Sequence, residues 1–345
     1  MWTHLGVIDL GSNAIRLQVA RVFEDGGFRI VHDEREPVRL GEDAFRTGTL
    51  SKDASQRALQ TLARYAETAR RHGAVRVRAV ATSAVREAAN GEEFARAVER
   101  TTGLRVEVIT GVQEARLIAR GVLSGFEAPG SRVALLDIGG GSTELSIVDH
   151  GQIGFSGSLP LGSVRLTEVY CKSDPLLAED EHRLRTHVRR ELGLRLDPLQ
   201  IPRCGAVIGS AGTIGALANF IRRRPSAHRK AGHLRSSFTA RELDRACVTL
   251  RTMTLAQRRV TRGIEERRAE IVVAGALLLQ EICSYLRARS IKVVRRGLRD
   301  GLMLDEIERL GPPPQMPEPR TEPPQPPRSP QPPQPARKRG TRETA

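Results

Sequence analysis

The sequence predicts a two-domain α/β protein made by internal duplication, with its halves facing each other across a cleft. Three observations lead there. The chain has 345 residues, too many for one ordinary core and enough for two domains of roughly 100–200 residues each. Strand patterns of period two alternate along it with helical patterns. The segment Gly6-Val-Ile-Asp-Leu-Gly-Ser-Asn13 returns as Leu135-Leu-Asp-Ile-Gly-Gly-Gly141. In both, an apolar strand ends in Asp, one apolar residue and a Gly lead into a small polar turn, and a second strand and a hairpin follow. Two copies at a long period mean two similar domains, since a solenoid needs at least three short repeats. The expected division is 1–127, 131–300 and a tail at 311–345, with a last helix over 301–310 that packs back on the first domain.

Taken in order, the elements read as follows. Leu5–Asp9 is a strand, Leu10-Gly-Ser-Asn13 a turn, and Ile15–Val22 a second strand. Gly26-Gly27 turns the chain into a third strand, Phe28–Glu34, which completes an antiparallel meander. Ser51–His72 has Ala58, Leu62, Tyr65 and Ala69 at helical spacing, with Arg57, Arg64 and Arg71 outside. Val75–Ala81 is a strand, Glu92–Thr101 a helix and Val106–Ile109 a strand. Thr110-x-x-Gln113 is a capping-box pattern heading a helix to Leu123. After a loop at Ala128–Ser131 the pattern restarts: strand Val133–Asp137, Gly-rich turn Ile138–Ser142, strands Glu144–Asp149 and Ile153–Leu159. A helix follows Pro175. Then come strand Ala206–Ile208, turn Gly209-Ser-Ala-Gly212, helix Thr213–Ile221, and a basic stretch, Arg222–Arg235, that reads as a loop. Helices are expected over Thr239–Arg251, Ile264–Arg287 and Gly301–Leu310, with a strand at Ile291–Val294. Thirteen of the 20 prolines lie beyond Gly311, and such a segment has too little apolar surface to fold.

The net charge is +15, a field that attracts polyanions; an Arg-rich solvated surface is the other reading of the same number. Aromatics make up 3% of the chain, little material for stacking bases, so nucleic acid is a poor fit. Cys171, Cys204, Cys247 and Cys283 are far apart with no Cys-x-x-Cys pair, which suggests neither zinc nor a disulfide framework and suits a reducing cytoplasm. No leader pattern precedes the first strand and no apolar run is long enough to span a membrane.

The Gly-rich turns are the first candidates for chemistry. Successive backbone N–H groups in such a turn form an anion nest, and Gly lets a phosphate approach without a Cβ clash. Gly11, Ser12 and Asn13 form one nest; Gly139, Gly140, Gly141, Ser142 and Thr143 form another. Either alone reads equally as a tight hairpin, but two, each after a strand-end Asp, read as facing walls of one cleft. Gly209, Ser210, Gly212 and Thr213 enter a helix, whose N-terminus suits a phosphate, or simply cap it. Asp9 and Asp137 beside phosphate nests would repel the ligand unless a Mg²⁺ lay between, and Mg²⁺ takes one or two carboxylates with waters and substrate oxygens. Glu144, on the strand after the second loop, would hold a metal-bound water or simply be a solvated strand position. Glu114, in the first turn of its helix, suits the helix dipole or the activation of a water. Arg86 is a bidentate phosphate ligand or a surface arginine. Arg222, Arg223, Arg224, Arg229, Lys230 and Arg235 would guide a long polyanion or line a solvated loop.

Val7-Ile-Asp-Leu-Gly-Ser-Asn13, Ala81-Thr-Ser-Ala-Val-Arg86, Val108-Ile-Thr-Gly-Val-Gln-Glu-Ala-Arg-Leu117, Leu136-Asp-Ile-Gly-Gly-Gly-Ser-Thr-Glu-Leu145, Gly209-Ser-Ala-Gly-Thr213 and Arg296-Gly-Leu-Arg-Asp-Gly301 together resemble the exopolyphosphatase / guanosine pentaphosphate phosphohydrolase (Ppx/GppA) family. The resemblance spans about residues 5 to 310. It implies the duplicated actin-like (ribonuclease H-like) fold and cleavage of terminal phosphates from polyphosphate or pppGpp. By position it makes Glu114 the general base. It places Mg²⁺, or Mn²⁺ in its stead, at Asp137 and Glu144 with Asp9 assisting, and phosphate on Arg86 and the nests. It implies a homodimer. Many members have Glu-Glu where this chain has Gln113-Glu114, and longer ones carry further C-terminal helical domains in place of the Pro-rich tail. The expected activity is an exopolyphosphatase. A pppGpp phosphohydrolase with the same machinery is the alternative, and a non-catalytic polyphosphate or nucleotide sensor the third.

Overall fold

The computed structural model describes residues 3–125, 131–201, 203–222 and 236–310. The expectations for the basic stretch at 223–235, the loop at 128–130 and the tail from 311 lie outside the described residues. β1 (Thr3–Leu10), β2 (Ile15–Val22) and β3 (Phe28–Glu36) form an antiparallel meander. After α1 (Ala44–Thr47) and α2 (Lys52–Arg71), β4 (Ala74–Ala81) runs parallel to β1. α3 (Ser83–Glu87), α4 (Gly91–Thr102), β5 (Val106–Val108) and α5 (Gly111–Leu123) follow, and the sheet order is β3-β2-β1-β4-β5.

The second half repeats the plan. β6 (Val133–Ile138), β7 (Thr143–Asp149) and β8 (Gln152–Leu159) are its meander. α6 (Ser163–Tyr170) and α7 (Ala178–Leu196) lead to β9 (Ala206–Ser210), parallel to β6. Then come α8 (Ala211–Ile221), β10 (Ser236–Thr239), α9 (Ala240–Thr252), α10 (Leu255–Val260), α11 (Val272–Leu286), β11 (Ser290–Val293) and α12 (Leu298–Leu310). This sheet runs β8-β7-β6-β9-β11-β10: the same five-strand order, with β10 added at the edge. A meander feeding a parallel pair, built twice around one cleft, is the duplicated actin-like fold.

Each sheet buries one face under its own helices. In the first, Ile8, Leu10, Leu17 and Val19 meet Ala54, Ala58, Leu62, Tyr65 and Ala69, the apolar stripe of α2. In the second, Leu136, Ile138 and Val207 meet the nearly wholly apolar α11. The other faces are covered by exchange. α12 packs Leu302 and Met303 on Leu5, Val7 and Val80 of the first sheet, while α5 packs Ile118 and Val122 on Leu135, Val148 and Ile208 of the second. The exchange positions the site, because it carries the start of α5 out of the first half and against β7 and β8. That start is built by the expected capping box, with Thr110 Oγ1 accepting from Gln113 N and Gln113 Oε1 from Thr110 N.

Three expectations need correction. Gly209-Ser-Ala-Gly212 is no turn: β9 runs through Ser210 and α8 begins at Ala211. The helix expected over Ile264–Arg287 starts only at Val272. Gly263 has φ 98°, and residues 263–271 unwind through a short 3₁₀ turn that is held by Arg258, whose Nε donates to Ala269 O at 2.8 Å. The unwound segment delivers the buried Arg268 to the cleft. Finally α1, α3, α6 and α10 were not expected; three of them have eight, five and four residues or so, too short for periodicity to register.

Candidate functional site

Both Gly-rich loops cross between the first two strands of a meander, and hairpin register places the residues around them. Asp9 of β1 lies opposite Arg16 of β2. Asp137 of β6 lies opposite Glu144 of β7. The spacing is the same in both halves, so the duplication keeps the position and changes the partner from cation to anion.

In each half, the segment just after the third strand ties down the loop's carbonyls. Gly41 N donates to Ser12 O at 2.7 Å and Arg39 N to Asn13 O at 3.2 Å. In the second half Ser163 N donates to Gly139 O at 3.0 Å, Val164 N to Gly140 O at 2.8 Å, and Arg165 Nε to Gly141 O at 2.7 Å. In a trans peptide the N–H points away from the preceding C=O. Tying these carbonyls to the following segment turns the N–H groups of Asn13, Ala14, Gly140, Gly141 and Ser142 to the opposite side of their peptides, and of these residues Asn13, Ala14, Gly140 and Ser142 line the cleft. The N–H groups of Gly140, Gly141 and Ser142 have no protein acceptor among the described residues.

The cleft between the loops encloses about 860 Å³, its open mouth included. Asp9, Gly11, Ser12, Asn13, Glu114, Asp137, Gly139, Gly140, Ser142, Glu144, Gly212 and Thr213 line it. Of its five carboxylates, Asp9, Glu114, Asp137 and Glu144 are buried and Asp300 is half-buried. Burial pushes Asp9 above the usual carboxylate range against the pull of Arg16, and does the same to Asp137, which accepts from Ser210 Oγ at 2.6 Å. Glu144 is pushed up to about 7 by burial first and by Asp137 second, although Ser142 and Ser158 donate to it, Ser158 Oγ at 2.7 Å. Burial also holds Glu114 well above its ordinary value; Glu144 adds to this, and Arg86 opposes it through a 2.9 Å bond from Nη1 to Glu114 Oε2.

The remaining expected residues stand behind the wall. Arg86 backs Glu114 and also donates to Ile109 O. Thr143 Oγ1 donates to Leu161 O at 2.5 Å and is fully buried. Gly141 is packed under Phe45 and Ser83, Gly209 against Ile214, and the Ser210 hydroxyl is committed to Asp137. Gly212 has a steric reason: a Cβ there would stand 1.6 Å from Arg268 Nη2.

Sequence reasoning missed the arginine side of the cleft. Arg16, Arg268 and Arg299 line it. Burial lowers Arg268 to about 10 and Arg35 to about 8, the latter helped by Arg268 and Arg16. Glu265 is a shared counter-ion for Arg35, Arg267 and Arg268. Arg16 was readable, since it holds the hairpin position that Glu144 holds in the second copy. Arg268 was not, because Glu265-Glu-Arg-Arg-Ala reads as ordinary helix.

The sequence and the fold resemble those of known proteins. A family model described as the Ppx/GppA phosphatase family matches residues 19–310. The chain belongs to the Ppx/GppA phosphatase family. Among relatives of this family member, an "Exopolyphosphatase 2" of Mycobacterium tuberculosis is 34% identical over 316 residues, covering 88% of this chain and 98% of the relative. The solved structure of an Aquifex aeolicus Ppx/GppA family member superposes with TM-score 0.74 at 30% identity, over 90% of this chain and 99% of that one. An exopolyphosphatase structure from Cytophaga hutchinsonii gives TM-score 0.81 at 27% identity, over 89% and 98%. In the Ppx/GppA chain described here, no helix among the described residues is long and apolar enough to cross a membrane.

Proposed function

We propose that this phosphoanhydride hydrolase removes terminal phosphates from inorganic polyphosphate, with Glu114 as the general base. The observation that carries the reading is the cleft itself: buried carboxylates share it with two Gly-rich loops and several arginines, and among the described residues no aromatic side chain lines it. Amides and arginines fit phosphoryl oxygens; a site for a guanine base would call for a stacking surface. Glu114 holds a water and takes its proton as the oxygen attacks the terminal phosphorus in line. The bridging P–O bond breaks, orthophosphate leaves, and the shortened chain departs on the other side. Arg86 keeps Glu114 in place, and its charge lowers the cost of ionising it. The nests at Ser12–Asn13 and Gly139–Ser142 receive the equatorial oxygens. Arg16, Arg268 and Arg299 receive the phosphates further along the chain.

The residues present fit a Mg²⁺ ion. Asp137 and Glu144 are neighbours across β6–β7, and burial raises both their pKa values, with Asp137 adding to the rise in Glu144 and Asp9 to that in Asp137, a strain that a divalent cation relieves. Among the described residues no three His, Cys, Asp or Glu side chains form a ready-made cage. That suits Mg²⁺, which is content with one or two carboxylates, waters and substrate oxygens. Asp9 would contribute less, since Arg16 stands 3.8 Å from its carboxylate. Held by Asp137 and Glu144, such an ion would offset charge on the phosphoryl oxygens. A cytoplasmic homodimer belongs to the same reading, and light scattering on the purified protein tests the assembly.

The deciding experiment measures phosphate release from polyphosphates of several lengths and from pppGpp, side by side with Mg²⁺. Faster turnover of polyphosphate is expected. A clear preference for pppGpp moves the assignment to the nucleotide, and tight binding of both without release makes the protein a sensor.

A further inference from the structure

We propose that Arg165 is a positioning residue for this site: it locks the Gly139–Ser142 loop of the second half against α3 of the first, and so holds the loop's free amides and Arg86 in one frame. The inference rests on the hydrolase reading for what the site does.

Arg165 is the third residue of α6. Its Nε donates to Gly141 O at 2.7 Å, and its Nη2 to Glu87 Oε2 at 2.6 Å. The guanidinium carbon lies 4.1 Å from the centroid of the Phe45 ring. That ring covers Gly141 so closely that a Cβ would stand 2.1 Å from its Cζ and 2.5 Å from Ser83 Oγ. Phe45 and Ser83 of the first half thus close on one loop residue of the second, and Glu87 reaches it through Arg165.

The consequence for the site follows from covalent geometry. The peptide between Gly141 and Ser142 carries the Gly141 carbonyl on one side and the Ser142 N–H on the other. Arg165 holds the carbonyl, which points the N–H into the cleft. Without that bond the peptide loses its hydrogen-bonded anchor, and glycine on its N-terminal side adds no Cβ restriction to hold its direction. The second hand of Arg165 acts on α3. This helix has five residues, too few to absorb a displacement between its ends. At its start Ser83 Oγ meets Ser12 Oγ of the first loop at 3.0 Å. At its end, Glu87 follows Arg86, which holds Glu114. The Glu87 side chain is 40% exposed, so the ion pair by itself contributes little to stability. What Arg165 supplies is direction: a planar fork with two fixed donor axes and a stacking face. Lysine has one mobile ammonium and cannot serve both partners.

The test uses Arg165→Ala, Arg165→Lys, Glu87→Gln and the double variant Arg165→Ala/Glu87→Gln of the full chain. Tripolyphosphate hydrolysis with Mg²⁺ gives kcat and KM, calorimetry gives tripolyphosphate affinity, and thermal melting reports folding. Arg165→Ala is expected to lower kcat on the order of 10²-fold, the scale of a misdirected oxyanion donor, and to weaken tripolyphosphate binding, with a melting midpoint close to wild type. Arg165→Lys recovers part of the loss. Glu87→Gln costs less, and adds little once Arg165 is gone, as expected for two members of one linkage. Unchanged kcat and KM in Arg165→Ala overturn the proposal. So does a loss matched by a lower melting midpoint and restored on cooling, or full multiplication of the two single effects. If the wild-type protein hydrolyses neither tripolyphosphate nor pppGpp, it is the hydrolase reading that fails. Affinity then decides Arg165: unchanged tripolyphosphate binding in Arg165→Ala overturns its role.

Discussion

Replacing Glu144 with glutamine should make the metal-free protein more stable at alkaline pH. Glu144 is buried, and its carboxyl is pushed up to about 7 by burial first and Asp137 second. In the unfolded chain an ordinary glutamate ionises about 2.5 units lower, and each unit is worth about 1.36 kcal/mol. At about pH 4 the group is neutral in both states and has no effect. As pH rises toward 7 the unfolded state ionises while the folded state keeps its proton, so the folded state loses stability. Above about pH 7 the loss is complete, at about 3 kcal/mol. Glutamine escapes this loss and can still accept from Ser158 Oγ, which Glu144 does at 2.7 Å. For a folded unit of about 300 residues, 3 kcal/mol moves the melting midpoint by about 5 °C. Calorimetric melting in EDTA, at about pH 4 and about pH 8, separates the cases: the curves should coincide at the lower pH, with the variant melting higher at the upper one. Adding Mg²⁺ at the upper pH should then raise the wild type more than the variant. Equal or lower melting of Glu144→Gln at about pH 8 in EDTA refutes the reasoning.

Other perturbations reach the remaining parts of the site. Glu114→Gln should cut phosphate release on the order of 10³-fold, within the range for a lost general base, while tripolyphosphate still binds; wild-type release would remove Glu114 from its role. Gly212→Ala puts a Cβ 1.6 Å from Arg268 Nη2 and must move that guanidinium, so KM for polyphosphate should rise on the order of 10-fold, about the worth of one charge-assisted hydrogen bond. An unchanged KM would mean that Arg268 does not touch substrate. Ending the chain after Leu310 should leave kcat for tripolyphosphate within about 2-fold, the size of effect for a segment outside the chemistry; loss of turnover assigns the Pro-rich tail a part in catalysis.

What could be read from the sequence follows from what is local. The meanders, the long α2 with its Ala58-Leu62-Tyr65-Ala69 stripe, and the Thr110–Gln113 capping box are encoded by residues a few positions apart, and all three are present. The two Asp loops could be paired because duplication repeats a local motif. What escaped depends on distant parts of the chain. Nothing near Glu114 says that α5 will leave its own half and pack on β7 and β8, yet that exchange brings it into the field of Glu144. Arg268 reaches the cleft only because Gly263 and Arg258 hold a helix-forming run unwound. Arg165 sits in α6, an eight-residue helix that gave no periodic signal, and its partners Gly141 and Glu87 are far away in sequence.

The two halves also explain why a symmetric scaffold makes an asymmetric site. The same hairpin position holds Arg16 in the first copy and Glu144 in the second. In the first copy the strand-end Asp9 is partly neutralised by its neighbour, and that wall is left able to attract phosphate. In the second, Asp137 and Glu144 repel each other in a buried place, which leaves a demand for a cation. On the proposed function, a polyanion and a metal ion would each find one wall suited to them, and the cleft would bring the two together. Glu114 enters from the exchanged helix, tied to neither loop, and Arg86 on the five-residue α3 favours its ionised form against burial and Glu144. Duplication therefore supplied the container, and one change of sign between the copies supplied the polarity. With Glu114 as the proposed base, the hydrolase then needed only one group that stands outside the symmetry.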